Sequence, residues 1–330
     1  MRRHIRWIAA VAAAIALGTS AACAPVSTGA DRFRSKEVAL GTSPITVTPM
    51  DPTGSSGSFA SLKSKAPTSG LPDRLMVYKV VSANVTRDEF QKKATKLGFT
   101  GKIIEGADRF GVMSSTANFS VEKYSGSFDY MKYSFGEQAF ALKKVLSDAE
   151  YRRRAEEFLT STGLMEEDAV FHDINRGDTV GTVENGKEIR APYIIEARFG
   201  HKPLGGIPFD IGVGPKILVQ FGEDGEILGA MSVWRHVKPY APYALKKPAQ
   251  AVDDVRTLKA QLFDVRPNDS GEVTSVALGY TNDPLGYDQK YVIPDYTIRG
   301  TTRSGQSFLG ITHAIPDEML KVDPSLVAND

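Results

Sequence analysis

Residues 217–234 read ILVQFGEDGEILGAMSVW, and this stretch decides the fold class. Two mostly apolar runs flank Asp224-Gly225, a dipeptide that favours the positive backbone angles of a tight hairpin turn. A second hairpin is predicted around Asn185-Gly186, between residues 179–183 and 189–199. A short turn of this kind can connect only antiparallel strands, because parallel strands need a long crossover. The sequence therefore predicts antiparallel sheet in this part of the chain.

Three helices are predicted among these strands. Residues 86–89 (TRDE) and 147–150 (SDAE) each match a capping box, and each is followed by apolar residues at helical spacing. Pro248 stands at a favourable first helical position before an apolar stripe. Further strands are expected at residues 76–81, 102–104, 110–114, 119–124, 273–280, 291–299 and 307–311.

Each predicted helix is followed by neighbouring hairpins, and single strands do not alternate with helices. This order indicates an α+β fold with antiparallel sheets and about three helices. The helix-plus-hairpin units share the order of their elements, which suggests a repeated module. We expect an N-terminal α+β module at residues 71–140 and one or two further modules at residues 141–330.

The composition excludes several classes of site. The chain has 330 residues, a formal charge of +1 and one cysteine. A single cysteine allows no intrachain disulfide and no cysteine-based zinc or iron-sulfur cage. A charge near zero provides no general attraction for nucleic acid. We therefore expect no nucleic-acid partner.

The first residues have the layout of an export signal. Arg2, Arg3 and Arg6 precede an uncharged run at residues 7–17, which is too short for a confident membrane span. Residues 20–23 (SAAC) resemble the lipobox of bacterial lipoproteins, although Ser20 stands where an aliphatic residue is usual. The resemblance implies a signal peptide at residues 1–22, lipid on Cys23, and a location on the extracytoplasmic face of the cell membrane. Ordinary cleavage after Ala22, which would give a secreted protein, and an uncleaved anchor are the alternatives.

Residues 23–70 are predicted to form a flexible linker. Twenty of the thirty residues from 41 to 70 are Gly, Ser, Thr or Pro, and such a segment buries little apolar surface to offset its ordering entropy. A linker of some 45 residues has a typical reach of about 35–40 Å. The folded body is expected to begin near Leu71.

The sequence lacks most catalytic signatures. Residues 212–215 (GVGP) do not complete a dinucleotide fingerprint, and no phosphate-binding loop, nucleophile elbow or His-Glu-x-x-His motif is present. The best candidate for part of a catalytic or metal site is the pair His172 and Asp173. We interpret both as ordinary surface residues. We therefore assign no catalytic residue, metal ligand or cofactor.

Two features suggest a binding surface. The first is a Gly/Pro-rich segment containing Gly205 and Gly206, which fits a binding loop or a long hairpin turn, the turn being favoured. The second is a set of aromatic residues of a type that is common in protein interfaces; the alternative is that these residues pack within the sheets. The candidate binding residues in that aromatic set are Trp234, Tyr240, Tyr243, Tyr287, Tyr291 and Tyr296.

The C-terminal third resembles known regulatory modules. Residues 291–298 (YVIPDYTI), the final strand, the preceding helix at residues 248–262 and the strand at residues 273–280 are similar to PepSY-like modules and to YycH/YycI-type extracytoplasmic regulators. The resemblance implies small helix-plus-sheet modules that bind another envelope protein without catalysis. We therefore expect a lipid-anchored, non-enzymatic binding or regulatory protein. The alternatives are an envelope protein that binds a small ligand or carbohydrate and, less favoured, an unrecognised hydrolase.

Overall fold

The turn at Asp224 and Gly225 connects two paired strands, as the sequence predicts, and both residues have positive φ angles of 54° and 71°. The protein is represented by a computed structural model. The structure describes residues 39–48, 57–137, 142–177, 179–184, 187–192, 194–210, 214–283 and 287–323. Residues 1–22, Cys23 and the Asn185-Gly186 turn lie outside the described residues.

The described part of the chain contains three α-helices and many short strands. The helices are α1 (Arg87–Lys96), α2 (Asp148–Thr162) and α3 (Pro248–Arg256). The strands, numbered in chain order, are β1 (Ile45–Val47), β2 (Phe59–Ser64), β3 (Arg74–Val81), β4 (Ile104–Glu105), β5 (Arg109–Met113), β6 (Ala117–Glu122), β7 (Phe128–Lys132), β8 (Ala169–Asn175), β9 (Thr179–Glu184), β10 (Lys187–Pro192), β11 (Ile195–His201), β12 (Lys216–Phe221), β13 (Ile227–Val233), β14 (His236–Ala244), β15 (Gln261–Phe263), β16 (Asp269–Tyr280), β17 (Tyr291–Val292), β18 (Pro294–Thr302), β19 (Ser307–His313) and β20 (Leu320–Val322). Most pairs are antiparallel, which confirms the predicted α+β class.

The helices begin where their sequences predict. Thr86 Oγ1 accepts a hydrogen bond from the main-chain N–H of Glu89, and Glu89 Oε2 accepts one from the N–H of Thr86 at 2.7 Å, which completes the capping box of α1. Ser147 caps α2, which ends at Gly163 in the left-handed conformation. Pro248 is the first residue of α3. Local hydrogen bonding at these ends explains why the sequence places them well.

Eight strands form the largest sheet, in the order β4-β5-β6-β7-β13-β12-β11-β8. The first four strands follow α1 along the chain, and the other four follow α2, with the β9–β10 hairpin inserted after β8. Each unit thus contributes one helix and four antiparallel strands to this layer. The last strands of the two units, β7 and β13, pair with each other, so the sheet combines strands from both sides of residue 140.

Helices α1 and α2 cover one face of this sheet. Phe90 of α1 stacks on Phe119 of β6, with ring centroids 5.2 Å apart, and Tyr151 of α2 lies 5.0 Å from Phe221 of β12. All four side chains are buried. The two helices therefore pack in the same way on the two halves of the sheet and enclose one apolar core.

The C-terminal part of the chain forms two smaller sheets. One has the order β15-β19-β18-β16-β2 and packs against α3, with Val255 and Ile298 in its core. The other has the order β14-β3-β17. One face of this three-stranded sheet packs against the segment between β11 and β12, where Phe209 lies against Tyr280. None of the helices in the described part of the chain has the length and apolar content needed to cross a bilayer.

Two strands lie inside the segment predicted to be a linker. β1 pairs in parallel with β20, and β2 pairs in parallel with β16. The expectation of a linker across residues 23–70 is therefore wrong for these two strands. Strand pairing uses main-chain groups that every residue except proline supplies, so a few apolar side chains such as Ile45 and Phe59 are enough to dock each strand.

Candidate functional site

The structure separates the predicted aromatic set into buried and exposed residues. Trp234, Tyr243 and Tyr296 are each only 1% exposed. They cannot contact a partner in the folded protein, so their role as candidate binding residues is corrected to packing. Period-2 patterns identify strand residues that alternate between faces, but they do not reveal when a second layer covers both faces.

The buried hydroxyl groups hold separate parts of the chain together. Tyr243 donates a hydrogen bond to the carbonyl oxygen of Ser43 at 2.8 Å, which fastens the N-terminal segment 39–48 to β14. Tyr296 donates to the carbonyl oxygen of Lys246 at 2.9 Å, just before α3. These tyrosines provide apolar packing area and satisfy main-chain acceptors at the same time.

Tyr240, Tyr291 and Tyr287 remain accessible. Tyr240 is 47% exposed, and its ring centroid lies 5.2 Å from that of the partly exposed Tyr291. Tyr287 is partly exposed, and its carbonyl oxygen accepts a hydrogen bond from Arg235. Of these three tyrosines, Tyr240 and Tyr291 lie together on the surface.

Gly205 and Gly206 form a tight turn. Their φ angles are 59° and 87°, and Leu204 and Ile207 exchange main-chain hydrogen bonds of 2.9 and 3.0 Å across them. The turn interrupts the connection between β11 and β12, as the hairpin interpretation predicts. Both glycines are exposed, whereas Leu204 and Phe209 on either side are buried. The apolar residues of this segment therefore pack in the interior, and its glycines form the turn.

His172 and Asp173 lie on the edge strand β8. Asp173 accepts two hydrogen bonds of 2.6 Å from Arg198 on β11, so its carboxylate is engaged in a bidentate salt bridge. His172 is exposed and lies over Gly200. Among the described ranges, no group of three or more His, Cys, Asp or Glu side chains is arranged to hold a metal ion.

The face of the eight-stranded sheet opposite the helices is the most distinctive surface of the described protein; we call it the open face. Cross-strand register pairs Leu218 of β12 with Met231 of β13, whose neighbour on β7 is Asp129. Met131 of β7 is opposite Gly229 and lies diagonally from Met231, so Leu218, Met231 and Met131 form an apolar centre. All three side chains are partly exposed. Polar and charged residues flank this apolar centre: Arg198, Glu196, Gln220, Asp129, Ser120 and Arg109.

Two charged side chains on the open face are partly buried. Burial lowers the pKa of Lys216 on β12, and burial raises the pKa of Asp129 on β7. Neither side chain forms a hydrogen bond or ion pair with another residue in the part of the chain that the structure describes. Glu196 attracts Lys216 and Arg109 attracts Asp129, but burial has the larger effect on each pKa. Desolvated charges that are incompletely compensated are unfavourable in the folded protein and are typical of functional surfaces.

The sequence analysis missed Lys216 and Asp129. Alternation in the runs KILVQF and FDYMK does place them on the face opposite Ile217 and Phe128. This alternation shows that the two residues lie on a polar face, but it does not show how far either charge is buried. Which of its charges lose water without gaining a partner depends on the neighbouring strands, which are distant in sequence.

A cavity of about 610 Å³ lies on the helix side of the sheet, at the C-terminal end of α1. Tyr130 and Tyr133 line it, together with Ser114 and Thr116 and an ion pair of 2.8 Å between Lys132 and Glu226. Hydroxyl groups beside aromatic rings are suited to a small polar ligand.

A second polar cluster lies where the N-terminal segment meets the C-terminal sheets. Thr48 donates a hydrogen bond to Asp283 at 2.8 Å, and burial raises the pKa of that aspartate. Asp295 is 1% exposed, accepts a hydrogen bond from Thr281 and pairs with His313 Nδ1 at 2.8 Å. The cavity beside these side chains is only about 20 Å³, so the cluster acts as a structural tie.

Comparison with known proteins finds similar solved structures. No protein-family model matches the chain, and no curated protein matches its sequence. One of these solved structures is that of an uncharacterised protein from Eubacterium rectale, at 8% identity and a TM-score of 0.42. The match covers 80% of this chain and 92% of the other.

Proposed function

We propose that the protein is a lipid-anchored, extracytoplasmic binding protein that holds another envelope protein on the open face of its eight-stranded sheet. The observation that supports this most directly is the pair of partly buried, unpaired charges, Lys216 and Asp129. A partner that supplies a carboxylate to Lys216 and a donor to Asp129 would compensate both desolvation costs.

The composition of the open face also suits a protein partner. Leu218, Met231 and Met131 provide an apolar centre, and methionine adapts easily to the shape of a partner. Charged and polar residues of both signs surround this centre, as in the polar rim of a protein interface. Mixed charges of this kind favour specific pairing over general adhesion.

The anchor is supported by the sequence around Cys23. Cys23→Ala should abolish labelling by a fatty-acid analogue and release the protein from membranes. The thiol is the only site available for the thioether, because the chain has no other cysteine. A labelled, membrane-bound Cys23→Ala variant would contradict the anchor.

In-cell photocrosslinking tests the binding surface. A photoreactive amino acid at Leu218 or at Met231 should yield one discrete crosslinked envelope protein, whereas the same probe at Thr160, on the exposed side of α2, should not. Lys216→Met and Asp129→Asn should each reduce the crosslinked product at Leu218 by about tenfold, the effect of losing one charge-assisted contact. Equal products at Leu218 and Thr160 would exclude a specific site on the open face.

A small-ligand function is the second candidate, supported by the cavity of about 610 Å³ beside Tyr133. A sugar or peptide that binds there should raise the melting temperature of the purified protein, because a ligand that binds only the folded state stabilises it. Tyr133→Ala should remove that shift, and Lys216→Met should leave it unchanged. The reverse pattern would place the ligand on the open face.

A further inference from the structure

The three-stranded sheet β14-β3-β17 has an exposed surface beside the N-terminal segment 39–48. Tyr240 and Tyr291 meet across β3 on this side, with ring centroids 5.2 Å apart. Val81, at the end of β3, is 39% exposed. Lys79 and Lys238 form a cross-strand pair on β3 and β14, and Tyr291 pairs with Lys79 from the other side. We call these five residues the tyrosine–lysine patch.

The patch is basic as well as aromatic. Strands β14, β3 and β17 contain no aspartate or glutamate. Lys79 and Lys238 are exposed, and neither pairs with a carboxylate in the portion of the chain that the structure covers. Both ammonium groups are therefore free to meet anions from outside the protein.

The polypeptide arrives at the body directly beside this patch. The main-chain N–H of Gly41 donates to the carbonyl oxygen of Pro242 at 2.8 Å, two residues from Tyr240 in the same strand. The hydroxyl of Tyr243 holds Ser43 on the same segment. Leu40, which precedes these contacts, is 42% exposed. The described N-terminal segment therefore contacts the body at the edge of the patch.

The docked N-terminal strands also shorten the connection. Sequence alone suggests a linker that ends near Leu71, but Gly41 already bonds to β14, and β1 begins at Ile45. Eighteen peptide steps separate Cys23 from Gly41, which span at most about 60–65 Å when fully extended. The surface around Gly41 is therefore held within that distance of a lipid on Cys23.

We propose that the tyrosine–lysine patch rests on the membrane surface and contacts anionic lipid headgroups. This inference rests on the lipid anchor of the proposed function. Tyrosine suits the boundary between headgroups and acyl chains because its ring is apolar and its hydroxyl is polar. Lysines close to the surface are attracted by anionic headgroups. The contact orients the body and leaves the open face available to a partner protein.

Site-specific fluorescence on the full lipidated protein tests the contact. Lipid occupies the Cys23 thiol, so an introduced cysteine is the single reactive thiol. An environment-sensitive dye on Tyr240→Cys should shift to shorter emission wavelength in phosphatidylglycerol vesicles and be quenched by lipids with a nitroxide headgroup. The same dye on Thr160→Cys should show neither effect. Lys79→Glu with Lys238→Glu should reduce the quenching at Tyr240→Cys at least fivefold, whereas Lys92→Glu with Lys102→Glu should not.

The readouts distinguish failure of the patch from failure of the anchor. Acylated, vesicle-bound protein in which the dyes at residues 240 and 160 behave alike would overturn the membrane contact and leave the anchor in place. A chain that carries no acyl group overturns both. A shift at residue 240 that appears only when a protein partner is added, without headgroup quenching, would show that a protein occupies the patch and would also overturn the proposal.

Discussion

Lys246 and Asp254 form a buried salt bridge, with 2.6 Å between Nζ and Oδ2, that joins the loop after β14 to the last turn of α3. The same carboxylate oxygen accepts a hydrogen bond of 2.8 Å from Thr312 on β19. One aspartate thus connects a loop, a helix and a strand of the C-terminal part of the protein. All three groups are buried, so we interpret this connection as a stabilising contact of the fold.

Asp254→Ala should destabilise the protein by up to about 3–5 kcal/mol, because it removes the nearest carboxylate from the buried ammonium group of Lys246 and leaves only Asp317, at 3.4 Å. Asp253→Ala is the matched control: it removes a neighbouring exposed carboxylate that pairs with Arg256, and should change stability by less than about 1 kcal/mol. Urea denaturation measures both values. Equal losses for the two variants would contradict this role for the buried salt bridge.

Trp234→Ala should cost about 3–5 kcal/mol, because the indole is 1% exposed and packs beside the ring of His201 at 5.3 Å. Tyr240→Ala removes an exposed ring and should cost less than about 1 kcal/mol. Thermal unfolding of the two purified variants checks this. A stable Trp234→Ala protein would be inconsistent with the core position of the indole.

Lys216→Met should stabilise the protein by about 0.5–2 kcal/mol while weakening partner capture. The pKa of Lys216 is lowered from 10.5, so the folded protein holds this proton less tightly than the unfolded chain does. The destabilising effect of the charge is therefore fully present at neutral pH and disappears as pH rises towards 10.5.

The stabilising effect of Lys216→Met, measured by urea denaturation, should accordingly be largest near pH 7 and shrink as the pH increases. Lys132→Met is a suitable control, because its ammonium group pairs with Glu226 and its loss removes a favourable contact. A Lys216→Met protein that is less stable than the parent at pH 7 would show that the lysine stabilises the fold.

Gly206→Ala should destabilise the protein by about 1–2 kcal/mol through backbone strain alone. The φ angle of Gly206 is 87°, and an added Cβ would meet no heavy atom within 4 Å. Gly111→Ala is the control, because Gly111 has no positive φ and its nearest contact would be 3.9 Å away. Melting temperatures of the two variants should differ by several degrees, and equal values would argue against a strained turn.

Local signals predicted much of the fold. The capping box at Thr86, the proline at the start of α3 and the positive φ angles at Asp224 and Gly225 all depend on neighbours within a few residues. Their hydrogen bonds form in the same way wherever the element packs. For this reason, the helices and the main hairpins follow from the sequence.

The candidate sites were less predictable, because exposure depends on contacts between distant residues. Tyr240 and Tyr243 lie three residues apart in one strand, yet one ring is 47% exposed and the other 1%. The N-terminal segment decides this difference by packing on Tyr243. No pattern within β14 indicates which tyrosine that segment covers.

The sequence by itself determined the α+β class of the protein, through helices with local caps and hairpins with local turns. The tertiary structure alone decided that β7 and β13 join the two units into one sheet, that β1 and β2 dock on distant strands, and that Lys216 and Asp129 lose water without gaining a partner. The physical reason is the range of the interactions. Caps and turns are satisfied within a few residues, whereas sheet pairing and desolvation depend on which distant segments meet.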